Sequence, residues 1–163
     1  MNPGNLRRLL VRALRDLHNT PDTAPPVIRL ACGMGAFVVA GHVSDQLRNH
    51  AVPPRDNFVT VGLACARTVA DLGLIVGPYL AHKHGPDTQW IDDSANDPRL
   101  FLIGADADNV APGMVTLGVK AHTVLAGIAH DEAALPEHRR AATSSMQTAA
   151  LIWSHYGGDG GGW

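Results

Sequence analysis

Leucines recur at 6, 10, 14 and 17 in the opening stretch NLRRLLVRALRDLH, at spacings of three and four, the period of an amphipathic helix. Asn2 and Pro3 stand before it as a cap and a first-turn proline. TPDTAPP ends this helix, and Pro26 opens a second, predicted to run to about His50. The first half of that helix, VIRLACGMGAFVVAG, is apolar almost all round, which fits a central position or an interface. Pro53-Pro54 breaks the chain again, Asp56-Asn57 supplies a cap, and a third helix is predicted from Phe58 to about His82. Gly62, Gly73 and Gly77 within it each cost roughly 1 kcal/mol relative to alanine. Close approach of a neighbouring helix is the expected compensation, unless Gly77-Pro78 kinks or ends the helix.

The helical period is lost from Gly85 to Asn109, an acidic, turn-rich segment with one short apolar run, Leu100 to Ile103, where a single strand would fit. A fourth helix is predicted from about Pro112 to Ala134, and a fifth from Leu135-Pro136 with Glu137 in its first turn. The expectation is an all-α, bundle-like single domain of about five helices over residues 1–156, interrupted by the irregular acidic loop 85–109. The second, third and fourth helices are expected to form its central layer, and residues 157–163, GGDGGGW without its aspartate being almost all glycine, to form a flexible tail.

The third and fourth helices share an echo. VTVGLACARTV (Val59–Val69) and VTLGVKAHTV (Val115–Val124) match once a residue is skipped. A reaction centre needs a nucleophile, base or ligand, and the shared positions offer only threonine, which in a helix bonds back to its own backbone. The echo is therefore read as one packing solution used twice.

Composition narrows the class. A chain of 163 residues with 45% hydrophobic and 17% charged residues can bury a core without staples. Aromatic residues make up only 5%, so small side chains at close range must supply many of the core contacts. Lysine occurs only at 83 and 120, against many arginines, as in a GC-rich coding sequence such as that of an actinobacterium or its phage. The net charge of −2 singles out neither a polyanion binder nor an acidic solvating chain. Cys32 and Cys65, each in Leu-Ala-Cys, read as free buried thiols of a reducing cytoplasm. No signal peptide is recognised, and the longest uncharged apolar run, Leu30–Val43, is shorter than the roughly 20 residues a bilayer requires, so no membrane association is expected.

Candidate chemistry is sparse. His82 and His84 alternate, and with Asp92, Asp93, His130 and Asp131 they form the candidate set for a divalent metal, although no H-E-x-x-H or cysteine pair accompanies them. His130-Asp131 resembles the central doublet of the HD-type metal phosphohydrolases, which are helical; the resemblance implies a further aspartate downstream, and the only one is Asp159 in the glycine tail. The Asp-x-Asp of LFLIGADADN resembles the strand end of haloacid-dehalogenase-like phosphatases, whose doubly wound sheet nothing else here supplies. The leucine stripe of the first helix is expected to dock on the protein's own core with Arg7, Arg8, Arg12 and Arg15 solvated; these arginines are also the candidate partner-binding residues, for an acidic protein surface ahead of nucleic acid. The expected function is a non-enzymatic structural or protein-interaction module, self-associating as a homo-oligomer and needing no cofactor. The alternatives are a helical metal-dependent hydrolase, in which His122 would join the His/Asp set, and a nucleic-acid regulator acting through the first helix.

Overall fold

The structure is a computed structural model that describes residues 3–50, 56–83 and 106–157, with side chains placed for 10–49, 57–78 and 110–157. Five helices follow one another: α1 (Pro3–Asn19), α2 (Pro26–His50), α3 (Asp56–Lys83), α4 (Asp106–Ala129) and α5 (Pro136–Tyr156). No strand occurs among the described residues, and the run Leu100–Ile103 lies outside them. The fold is all-α and bundle-like.

The prolines at 3, 26 and 136 each occupy the first position of a helix, where a missing N–H costs nothing. Two boundaries of α4 depart from expectation. Residues 106–109, expected in the acidic loop, are its first turn, and Pro112 lies inside the helix rather than opening it. The helix also stops at Ala129, five residues before Ala134, because Asp131 makes a turn of its own: its Oδ1 accepts from the Ala133 N–H at 2.9 Å and its carbonyl from the Ala134 N–H at 3.1 Å. α3, by contrast, continues through Gly77-Pro78 to Lys83.

α2 is the central rod and touches all four other helices, most extensively α3. α4 and α5 form the other large contact, α1 lies across α2 and α4, and α3 also packs on α5. The core runs along the axis of α2 through Leu30, Phe37, Val43 and Leu47, all fully buried, and joins Phe58 and Leu72 of α3 to Leu117, Leu125 and Ile152 of the opposite pair. The uniform apolarity of α2 thus follows from having neighbours on every side. Among the described residues α3, expected in the same central layer, has its main contacts with α2 and α5.

Within the echo, Val61 and Leu117, and Cys65 and Ala121, occupy equivalent places and are buried, as are the flanking Phe58 and Met114, whereas the shared apolar positions Leu63 and Val119 are exposed. Gly118 is the tightest point, since a Cβ there would lie 2.9 Å from the Ala149 carbonyl oxygen and 3.0 Å from the Trp153 nitrogen, so α4 rests on the backbone of α5. Thr116 and Thr123 bond back to the carbonyls of Pro112 and Val119, both at 3.0 Å. The skipped residue separates the two copies at their ends: Thr68 is buried and shares a 2.6 Å hydrogen bond with Thr148, while Thr123 faces solvent.

Candidate interaction surface

Polar groups inside the bundle are few; four of them pair as two hydroxyl–hydroxyl bonds, while Gln46 Oε1 is buried without a hydrogen-bond partner among the described residues. Ser44 and Tyr156 share a buried hydroxyl–hydroxyl bond of 2.7 Å, joining α2 to the last turn of α5, and the Tyr156 ring stacks on Phe58 at 5.9 Å. Burial pushes the Tyr156 phenol well above its usual range, with the Ser44 bond opposing and nearby Cys65 adding to the rise. Burial also pushes the Cys65 thiol up to about 12. Cys32 is only half-buried, lies 3.1 Å from the Thr20 hydroxyl, and is likewise raised, mainly by desolvation. Both cysteines are free thiols.

Arg29 is a buried charge that the sequence reading passed over. It is 5% exposed; its Nε donates to the Ala24 carbonyl at 3.0 Å, and its Nη2 donates to Asp131 Oδ2 at 3.1 Å. Gly127 leaves it room, because a Cβ there would meet Arg29 Nη1 at 3.4 Å. This ion pair ties the α1–α2 connection to the α4–α5 connection. A second internal echo marks these segments. Both read acid-x-Ala-x-Pro-x-x-Arg, from Asp22 to Arg29 and from Glu132 to Arg139, and both close the same backbone turn, Ala24 N–H to Pro21 carbonyl and Ala134 N–H to Asp131 carbonyl. That repeat was the available signal for Arg29. The pairing is one-sided, because Pro21 stands in the first copy where Asp131 stands in the second.

The candidate metal ligands are not brought together by what is described. Asp131 gives one carboxylate oxygen to Arg29 and the other to the turn. His130 is exposed next to it. His122 makes an edge contact with Trp153, ring centres 5.0 Å apart. The side chains of His82, His84, Asp92 and Asp93 lie outside the described residues, and no group of three potential ligands occurs among those inside. On α1, Arg12 and Arg15 are exposed opposite the buried Leu10 and Leu17, while the side chains of Arg7 and Arg8 are not described.

Two features of the surface stand out. A trough of about 400 Å³ between α2 and α3 is lined by Phe37, Val38, Gly41, His42, Asp45, Gly62, Ala66 and Val69. His42 Nε2 is shielded there without a hydrogen-bond partner among the described residues, and burial lowers its pKa against the opposing pull of the Asp45 carboxylate. The other feature is the outer side of α3, where Leu63 is 64% and Leu74 81% exposed. By length and composition, α2 over Pro26–Asn49 and α3 over Asn57–Pro78 could each cross a membrane, yet 50% of the α2 span and only 28% of the α3 span is buried within the fold. At Gly73 and Gly77 a Cβ would meet nothing within 4 Å among the described residues, so no described helix supplies the close approach expected for them. Gly62 is contacted, by Asp45 and Ser44, at ordinary distances.

No protein-family model matches the chain, and no curated protein or solved structure is significantly similar to it.

Proposed function

We propose that this chain is a non-enzymatic interaction module that works through the outer surfaces of its helices, self-association included. The observation that supports the reading is α3 itself: its apolar stretch within Asn57–Pro78 is as apolar as that of the central helix, only 28% of it is buried, and two large leucines face outward. Monomeric soluble proteins seldom leave such a face uncovered. Of the polar groups that sequence alone offers for chemistry, Asp131 has structural work, since it holds Arg29 and the turn between α4 and α5. In this reading both cysteines remain free thiols in a reducing aqueous compartment.

The competing hydrolase reading makes a different prediction. Untagged protein should be sized by light scattering and assayed for bound metal. The interaction module is expected as an assembly with no metal in whole-number ratio to the chain. Stoichiometric zinc, manganese or iron, lost on replacing His130, would replace it with a metal-dependent hydrolase.

A further inference from the structure

The exposed face of α3 is complementary to itself. Leu63, Arg67, Asp71 and Leu74 follow one another at helical spacings of four, four and three, with Ala70 next to Asp71 on the same side, the leucines at the ends and the opposite charges between them. All five are exposed. Arg67 and Asp71 have no hydrogen-bond or ion-pair partner among the described residues, and in this order, with the base N-terminal to the acid, they pair poorly within one helix.

We propose that the occupant of this face is a second copy of the chain, with the two α3 helices antiparallel about a twofold axis near Val69. Turning the helix end for end about that point sets Leu63 against Leu74 of the second copy and Arg67 beside Asp71 of the second copy. The twofold repeats each pair, as an isologous interface requires. A parallel arrangement would set Arg67 on Arg67 and Asp71 on Asp71, so the charges select the antiparallel one. Gly73 and Gly77, open to at least 4 Å, border the face and let a second backbone come close. The trough between α2 and α3 opens beside Ala66 and offers space for side chains from the partner. A bilayer is a poorer occupant, because it would have to take Arg67 and Asp71 into hydrocarbon in the middle of the helix.

This inference deepens the interaction-module reading and rests on it. The test is sedimentation equilibrium of the full chain over a concentration series, with circular dichroism to confirm that each variant remains helical. The wild type is expected to dimerise, and Leu63→Glu or Leu74→Glu to shift it to monomer. Arg67→Asp and Asp71→Arg, which place like charges across the axis, should each weaken the dimer by at least about tenfold. Mixing these two variants should produce a one-to-one heterodimer, and the double exchange Arg67→Asp with Asp71→Arg should restore the homodimer. Recovery by re-pairing would not occur if the residues merely supported the monomer. A wild type that stays monomeric at every concentration overturns the proposal, as does flotation with anionic vesicles that Leu63→Glu abolishes. An assembly indifferent to all four positions also overturns it, while leaving the interaction-module reading standing.

Discussion

Arg29 carries a full charge into the bundle and makes it tolerable with two acceptors, the Ala24 carbonyl and the Asp131 carboxylate. The pair is asymmetric: the Arg29 side chain is 6% exposed and that of Asp131 32%. Removing one member of a buried pair is costly mainly through the charge left behind. Asp131→Ala strands a guanidinium in the interior and also removes the turn bond to Ala133, so it is expected to cost about 3 kcal/mol. Arg29→Met keeps the packing beside Gly127 and leaves a carboxylate that water can reach, for a smaller loss of about 1 kcal/mol. Urea denaturation at neutral pH, with an unchanged slope, measures both, and the reverse order of costs would mean that Asp131 is not the counter-charge that matters.

At the level of the helices, the echo separates structural positions from incidental ones. Gly118→Ala pushes a methyl group into the α5 backbone at Ala149 and Trp153, where nothing flexible can yield, and is expected to cost about 1–3 kcal/mol. Thr116→Ala removes only a bond from an exposed hydroxyl to its own helix and should change thermal stability by no more than about 0.5 kcal/mol. If the threonine proved the costlier loss, the echo would be more than packing. The helix starts at Pro3, Pro26 and Pro136 were legible because proline acts locally and its effect can be read from a few residues. The start of α4 was not, since Asp106–Asn109 and Pro112 have the composition of a breaker, and its end was hidden by an apolar period that continues past the Asp131 turn. Hydropathy described α2 and α3 alike, and only assembly distinguishes them: among the described residues one has all four other helices as neighbours, the other chiefly two. The candidate site was less legible still. The partner of Arg29 lies 102 residues away, and no local rule reaches that far.

Across the whole molecule, three groups whose ionisation opposes folding, His42, Cys65 and Tyr156, gather where α2, α3 and α5 meet, while Cys32 stands apart beside Thr20. Ser44, Phe58 and Tyr156 lie at this junction, Cys65 packs against Gly41 across the same α2–α3 seam, and His42 lines the trough along it. Their pKa shifts limit stability from both sides. His42 is held below its ordinary 6.5 by burial, with the Asp45 carboxylate only partly opposing. As pH falls below 6.5 the unfolded chain takes up this proton first, so the contribution of His42 present at neutral pH is lost toward acid. At the alkaline end the signs reverse in pH. The unfolded Cys65 thiol ionises near 9.0 and the folded one only at about 12, so stability falls as pH rises through that interval, by up to a few kcal/mol, and Tyr156 adds to the loss from about 10 upward. Thermal melts from pH 5 to roughly pH 11, a range set by these pKa values, should therefore peak near neutrality. His42→Gln should flatten the acid side relative to wild type, and Cys65→Ala the alkaline side. Because α3 takes part in this junction on its inner face and carries Leu63 and Leu74 on its outer one, loosening the junction would also disturb the surface proposed for self-association. Alkaline dissociation of the proposed dimer should therefore follow the wild-type melting profile and move to higher pH in Cys65→Ala; dissociation at the same pH in both would separate the inner seam from the outer face.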